Sequence, residues 1–273
     1  MGTKIEHNNV TGLELEPSVR LAWRAGEQQT VWAAVSRSVH TPSVLERDIR
    51  YDAAVVSPPL TIIREISEGN TESEEQISYE LGYRLQSAAQ FSLDATVFYN
   101  DLPKVQAFRQ GAPFPEGTPV PFHFVLPLQF DKTGLSGESH GVEISAQWQA
   151  AEHWRLFAEY SYLEVKLDTM PGLTSFSSRS PRNRCGVRSS ADFAHNWQLD
   201  AGVRYVSATP GTAIASYFVG DVQLVWRPDT RWEFSVVGQN LLAGQHAEIG
   251  SVTLGAVVEI PKTVFAKATW KFK

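Results

Sequence analysis

The sequence predicts an all-β chain: an antiparallel, up-and-down transmembrane β-barrel of which about 11 strands are visible. Three observations predict it. Apolar and polar residues alternate with period two in segment after segment. The connections between those segments alternate between short and long, as hairpins with tight turns on one side require. All 8 tryptophans fall at one end of the resulting sheet, where amphipathic rings gather at a membrane–water interface.

Taken in order, Leu13–Arg24 sets Leu15, Val19, Leu21 and Trp23 against Glu14, Glu16, Ser18, Arg20 and Arg24. A weaker alternation covers 29–39. Ser78–Gln86 opposes Tyr79, Leu81, Tyr83 and Leu85 to Ser78, Glu80, Gly82, Arg84 and Gln86. In Phe91–Asn100 the apolar face is Phe91, Leu93, Ala95, Val97 and Tyr99, with Ser92, Asp94, Thr96 and Asn100 opposite. Val142, Ile144, Ala146 and Trp148 alternate with Glu143, Ser145, Gln147 and Gln149. Weaker segments follow at 154–166 and 182–193. Trp197, Leu199, Ala201, Val203 and Tyr205 then alternate with Gln198, Asp200, Gly202 and Arg204. After 216–226 and 231–242, the final stretch sets Val264, Ala266, Ala268, Trp270 and Phe272 against Lys267, Thr269 and Lys271. No segment reads as an amphipathic helix.

Short turns are expected at 25–28, 87–90, 150–153, 193–196 and 227–231, and long connections near 40–75, 102–136, 167–181, 207–215 and 243–261. The long ones hold Pro58, Pro59, Pro113, Pro115, Pro119 and Pro121 and read as loops. Trp23 and Trp32 flank the first short turn, Trp148 and Trp154 the third, and Trp226 and Trp232 the fifth. Trp197 follows the fourth turn and Trp270 lies near the C-terminus, on the same side by the up-and-down count. Alternation by itself also fits a soluble β binding module with an apolar core. The tryptophan girdle and the one-sided long loops favour the inverted arrangement, apolar residues toward lipid and polar residues toward the lumen.

Composition narrows the function. The 273 residues carry 24 Lys+Arg against 30 Asp+Glu, net charge −6, with no basic run, which argues against a nucleic-acid partner. No apolar run approaches the roughly 18 residues of a membrane helix. A single cysteine, Cys185, excludes a disulfide framework within the chain. The start, MGTKIEHNNVTG, shows no signal peptide, and Glu6 stands where a myristoylation motif needs Ser or Thr. Gly137-Glu138-Ser139-His140-Gly141 matches a nucleophile-elbow spacing but runs directly into a strand rather than a helix, so no catalytic residue is assigned. The seven histidines show no metal-ligand spacing; His123 and His246 sit in long connections where a ligand contact is conceivable. No cofactor and no metal are expected.

Nine stretches carry a further signal: PSVRLAW (17–23), QTVWAAVSRSVHTPS (29–43), ISYELGYRLQ (77–86), SLDATVFYNDL (92–102), GESHGVEISAQWQ (137–149), WRLFAEYSYLEV (154–165), VQLVWRP (222–228), GQNLLAGQHAEIG (238–250) and IPKTVFAKATWKF (260–272). In this order they resemble the TonB-dependent outer-membrane receptors. The resemblance implies a 22-stranded barrel closed by an N-terminal plug, with residues 1–273 corresponding to the C-terminal half of the barrel. It implies no plug domain in this chain. The family's usual terminus ends in an aromatic residue, and here Phe272 is followed by Lys273, a mild departure from that pattern. An odd count of 11 independently reads as incomplete, because single-chain bacterial barrels have even strand numbers.

The expected function is therefore part of a receptor in the cell outer membrane that imports a scarce nutrient such as an iron–siderophore chelate. Its partners would be outer-membrane lipid, the small-molecule ligand, and the TonB complex acting through a plug outside the chain. It would not be an enzyme. The alternative is a passive, porin-like barrel piece. Ligand capture is expected in the outer loops, at Tyr51, Arg64, Phe108, Arg109, Phe114, Phe122, Phe124 and Phe176. Lumen charges (Glu14, Glu16, Arg20, Arg24, Glu80, Arg84, Asp94, Glu143, Arg184, Arg188, Asp192, Asp200 and Arg204) are expected chiefly to pair across neighbouring strands.

Overall fold

The computed structural model describes residues 1–67, 69, 72–87, 90–118, 120–171, 173–174, 179–194, 196–212, 214–242, 244–250 and 257–272. The elements in order are β1 (Gly2–Asn8), β2 (Gly12–Gly26), β3 (Gln29–His40), α1 (Val44–Asp48), β4 (Arg50–Val56) and β5 (Thr61–Ile66). Next come β6 (Glu74–Ser87), β7 (Phe91–Gln110), β8 (Phe114–Glu116), β9 (His123–Ala151), β10 (Trp154–Leu167) and β11 (Leu173–Thr174). They continue with β12 (Asn183–Phe193), β13 (Trp197–Val206), β14 (Tyr217–Trp226), β15 (Trp232–Gln239), β16 (His246–Gly250), β17 (Val257–Ile260) and β18 (Thr263–Trp270). No helix among the described residues is long and apolar enough to cross a membrane, which leaves crossing by strands open.

One antiparallel path, β1-β2-β3-β6-β7-β9-β10-β12-β13-β14-β15-β18, carries the fold. Its ends, β1 and β18, are not neighbours, so the ring stays open. The path has 12 strands, one more than the expected 11, because β1 forms a hairpin with β2. The Asn8 side chain makes the turn, accepting from the backbone N–H groups of Val10 and Thr11, each at 2.8 Å. Gly12 then adopts φ +83°, a conformation glycine enters without steric cost. This short turn lies on the side of the long connections, so the strict alternation of short and long connections fails at that one place.

The long connections are more ordered than the expected loops. β7 runs to Gln110 and β9 begins at His123, and their ladder continues through Gln110 opposite Leu128. β5 adds to β9 in parallel, with Thr61 opposite Phe124 and Ile66 opposite Gln129. β4 pairs with β5, β8 with β9, and β11 with β7. The connections at 40–75, 102–136 and 167–181 therefore join into one sheet extension above the barrel. A short helix was not foreseen either. α1 forms because Ser43 and Glu46 cap each other, Glu46 N–H donating to Ser43 Oγ at 3.2 Å and Ser43 N–H to Glu46 Oε2 at 2.7 Å.

The two faces follow the expected parity. Cross-strand rows such as Tyr83, Ala95 and Ile144, or Leu199, Leu224 and Val236, line one face. Exposed Leu21, Leu81, Val187 and Val236 mark that face as uncovered by protein. On the polar face two aromatic rings cover glycines of the adjacent strand. A Cβ on Gly82 would stand 2.1 Å from the Trp32 ring, and one on Gly141 would stand 2.5 Å from the Phe98 ring and 2.1 Å from the Tyr162 carbonyl oxygen. Glycine is needed at both positions because any side chain would occupy the space of a ring or of the backbone.

Candidate functional site

Three features of this frame bear on function: two aromatic levels on the apolar face, a cavity on the polar face, and the sheet extension at the long-connection end. The first level is the expected one. Trp23, Trp148, Trp154, Trp197, Trp226, Trp232 and Trp270 lie on the apolar face next to the short turns. Several stack into a ladder: Trp197 on Trp226 at 5.7 Å, Trp226 on Phe234 at 5.6 Å, and Trp232 on both Phe234 at 5.6 Å and Trp270 at 5.8 Å. Trp32 departs from the expected girdle. It shares the end of the sheet but not the face, since its ring covers Gly82 among the polar positions.

The second level was missed in the sequence. Tyr79, Tyr99, Tyr160, Tyr162, Tyr205 and Phe218 occupy the apolar face toward the long connections. The spacing is regular: Phe91 to Tyr99, His140 to Trp148, Trp154 to Tyr162, Trp197 to Tyr205 and Phe218 to Trp226 are each eight residues. At about 3.3 Å per residue this is roughly 26 Å along a strand, close to the ~25 Å apolar band of an outer-membrane barrel. Tyrosine hydroxyls point away from that band. Tyr99 donates to Glu138 at 3.0 Å, Tyr160 to Asn183 at 2.9 Å and Tyr162 to Glu164 at 3.0 Å, each partner lying further toward the long connections.

On the polar face a cavity of about 930 Å³ opens between β7, β9, β10, β12, β13 and β14. Glu143 and Glu159 line it at mid-strand, and Arg184, Arg204, Tyr217 and Glu248 at the end near the long connections. The expectation of general cross-strand pairing holds only locally. Arg84 and Asp94 pair at 2.5 Å across β6 and β7, whereas Arg20, Arg24, Arg184 and Arg188 have no ion pair among the described residues. Arg188 instead sits 5.6 Å over the Phe157 ring. His246 and Glu248, which no sequence pattern joined to this face, reach it from the β16–β17 hairpin, Arg204 donating to Glu248 at 3.2 Å.

The extension sorts the residues expected to capture ligand. Tyr51 on β4, Phe122 and Phe124 are exposed, as is Phe114 on β8. The Phe122 and Phe124 rings meet edge-on at 5.8 Å. Phe108 is instead packed against Phe130 at 4.4 Å within the extension. Arg109 lies on β7 with Gln129 of β9 on one side and Leu173 of β11 on the other. Phe176 lies outside the described residues.

Arg64 is not a surface residue, contrary to expectation. It is 5% exposed and ties the extension together. It donates to both oxygens of Asp52 and, at 3.1 and 3.0 Å, to both oxygens of Glu116, 52 residues away. Hydrogen bonds from this guanidinium hold the Asp52 and Glu116 carboxyls below the usual carboxylate range, and they hold Arg64 charged. His123, 2% exposed, completes the cluster, with Nε2 3.3 Å from Glu116 and Nδ1 2.9 Å from the Pro121 carbonyl. Both are therefore parts of the scaffold.

Comparison with known proteins agrees with this architecture. Residues 3–241 match the family model described as TonB dependent receptor-like, beta-barrel. A search of curated proteins gives no match. Among solved structures, the chain is similar to a mutant ferric enterobactin receptor, PfeA, from Pseudomonas aeruginosa, at 15% identity and TM-score 0.70, covering 97% of this chain and 41% of that one. It is similar to the siderophore receptor PirA from Acinetobacter baumannii at 14% identity and TM-score 0.71, covering 97% and 42%. It is also similar to the ferric-catecholate import receptor Fiu from E. coli K12, at 15% identity and TM-score 0.69, covering 96% and 35%. The chain thus spans about two fifths of the length of such receptors. Members of the matched family are outer-membrane receptors and transporters rather than enzymes. With the family pattern running over most of its length and an open, antiparallel transmembrane β-barrel sheet as its fold, this chain belongs to the TonB-dependent receptor β-barrel family.

Proposed function

We propose that this chain supplies the C-terminal portion of an outer-membrane receptor that takes up a scarce nutrient as a small ferric chelate. The apolar face meets lipid between the tryptophan and tyrosine levels, with the long-connection end outside the cell. Strands beyond β1 and β18 complete the ring, because lipid cannot satisfy the bare backbone groups of an open edge. The observation that carries this reading is a coincidence of place. The exposed aromatics of the extension and the arginines of the cavity lie at the same end of one sheet. Flat apolar rings and guanidinium groups suit a chelate with aromatic rings and negative charge. Two neighbours support the class of ligand: a PfeA receptor structure is a complex with enterobactin, and Fiu is a ferric-catecholate import receptor.

Transport would draw on the inner-membrane proton gradient through TonB acting on a plug outside these residues. The test is uptake of radioactive iron, presented as a ferric catecholate chelate, by cells producing the receptor. Accumulation should require the protein and should stop when a protonophore collapses the gradient. Accumulation that persists at the same rate without the gradient would instead favour a passive, porin-like barrel.

A further inference from the structure

After β15, β16 places a carboxylate, Glu248, beside the guanidinium groups at the long-connection end of the cavity. β16 and β17 form a two-stranded sheet separate from the main one. The hairpin is rooted at Asn240, which is buried, adopts φ +59°, donates its backbone N–H to Asp221 at 2.9 Å and its side-chain N–H to the Ile260 carbonyl at 2.8 Å. Over the cavity, the His246 ring lies 4.3 Å from that of Tyr217. Glu248 Oε1 takes Arg204 Nη2 at 3.2 Å and stands 3.0 Å from His246 Nε2. Arg184, diagonal to Arg204 on the same face, has no carboxylate partner among the described residues.

A buried ion pair would make this arrangement a permanent fastening, but this pair is not buried. The Arg204 side chain is 49% exposed and that of Glu248 25%, beside about 930 Å³ of open space. Ion pairs this accessible to water are weak and exchange readily. Of the carboxylates that line the cavity, Glu248 is the one ion-paired with Arg204 among the described residues, while Asp94, Glu143 and Glu159 lie deeper along the strands. An incoming anion that displaced Glu248 would meet Arg204 with the unpaired Arg184 beside it. We propose that Glu248 is a built-in counter-ion, holding the β16–β17 hairpin over the cavity until a negatively charged group of the ligand takes its place on Arg204. The ligand class is then a multiply anionic chelate, whose arrival releases β16 at His246 and Glu248. This rests on the reading of the cavity as part of the ligand's path.

The test uses outer-membrane vesicles from cells producing the protein, with two probes: a trianionic ferric tris-catecholate and a neutral ferric trihydroxamate. Equilibrium binding is compared for the wild type, Glu248→Gln and Arg204→Ala, with heat-modifiable migration confirming a folded barrel in each. Glu248→Gln should tighten the trianionic probe by about two- to fivefold, the range of an exposed charge pair, and leave the neutral probe unchanged. Arg204→Ala should weaken the trianionic probe. In the wild type, that probe should speed amide hydrogen exchange at residues 246–248 as the hairpin is released. Weaker or unchanged trianionic binding in Glu248→Gln, beside a loss in Arg204→Ala, would overturn the counter-ion role and keep the cavity on the ligand path. Equal tightening of both probes would also overturn it. Trianionic binding indifferent to both substitutions, or undetectable in both the wild type and Glu248→Gln, would remove the cavity reading and the inference with it.

Discussion

Replacing Ile144 by arginine should destabilise the folded barrel more than the same change one residue later. Ile144 lies on the apolar face, midway between His140 and Trp148. Four residues to either level is roughly 13 Å of strand, which puts Ile144 near the middle of the proposed hydrocarbon band. An arginine at the midplane of a barrel's lipid face costs about 2–4 kcal/mol, falling to about 0–1 near the interfaces. At about 1.4 kcal/mol per factor of ten, Ile144→Arg should shift the folding equilibrium by roughly 25- to 700-fold. Ser145→Arg, facing the hydrated cavity, should cost well under that. His140→Arg, at the tyrosine level, should cost at most about 1 kcal/mol. The assay is urea titration in lipid vesicles, read by heat-modifiable migration. A soluble core would also reject Ile144→Arg, but without this grading by depth. Equal costs at positions 140 and 144, or a larger cost at 145, would refute the assignment of faces.

Gly141→Ala should destabilise the barrel by about 1–3 kcal/mol, as overpacking does, because its Cβ would meet the Tyr162 carbonyl and the Phe98 ring; a chemical-denaturation midpoint equal to the wild type would contradict this. Arg64→Met should loosen the extension by about 1–3 kcal/mol by leaving Asp52 and Glu116 without their donor. Proteolysis should then begin within 50–66 while the barrel itself stays intact. The same cluster sets a pH dependence. Asp52 and Glu116 have lowered carboxyl pKa values, chiefly through Arg64, so their contribution is full above the ordinary carboxylate range and is lost as pH falls below about 4. Cleavage of 50–66 should accelerate there in the wild type and respond less to pH in Arg64→Met. Exchanging Phe122 and Phe124 together for serine should weaken binding of a ferric catecholate by about tenfold or more, as loss of exposed aromatic anchors does, with heat-modifiable migration unchanged. Unaltered affinity would place capture elsewhere.

What the sequence revealed and what it hid divide along a physical line. Alternation exposes a strand when one face is apolar and the other polar over eight or more residues, so the segments around 91–100, 142–149 and 197–205 could be read with little error. β1 lacks that contrast: Lys4, Glu6, His7 and Asn8 leave only Ile5 as an apolar anchor. Trp32 stands in a run, Val31-Trp32-Ala33-Ala34-Val35, that is apolar on both parities. Its end of the sheet was therefore legible and its face was not. Tyr79, Tyr99 and Tyr205 were legible as apolar-face residues of their own strands, but only the cross-strand register shows that they share one level. The extension was least legible. Its parallel β5–β9 pairing joins segments some 60 residues apart, and prolines at 58, 59, 113, 115, 119 and 121 argued for loop. For the same reason Arg64 looked like a free recognition group. Nothing local tells that its partner Glu116 lies 52 residues away, or that Arg64 is buried between strands.

In the proposed receptor the apolar face of this sheet meets lipid and the polar face a watery interior. That arrangement is tested most directly by cysteine labelling in intact outer membranes. With Cys185 changed to serine, single cysteines at Ile144, Leu199 and Val203 are compared with single cysteines at Glu143, Asp200 and Arg204, using a membrane-impermeant maleimide. The first three should resist labelling until the membrane is dissolved and the protein denatured, while the second three should react in intact membranes wherever the lumen admits the reagent. Equal reactivity of the two sets, or protection of the polar set with free labelling of the apolar one, would contradict that arrangement.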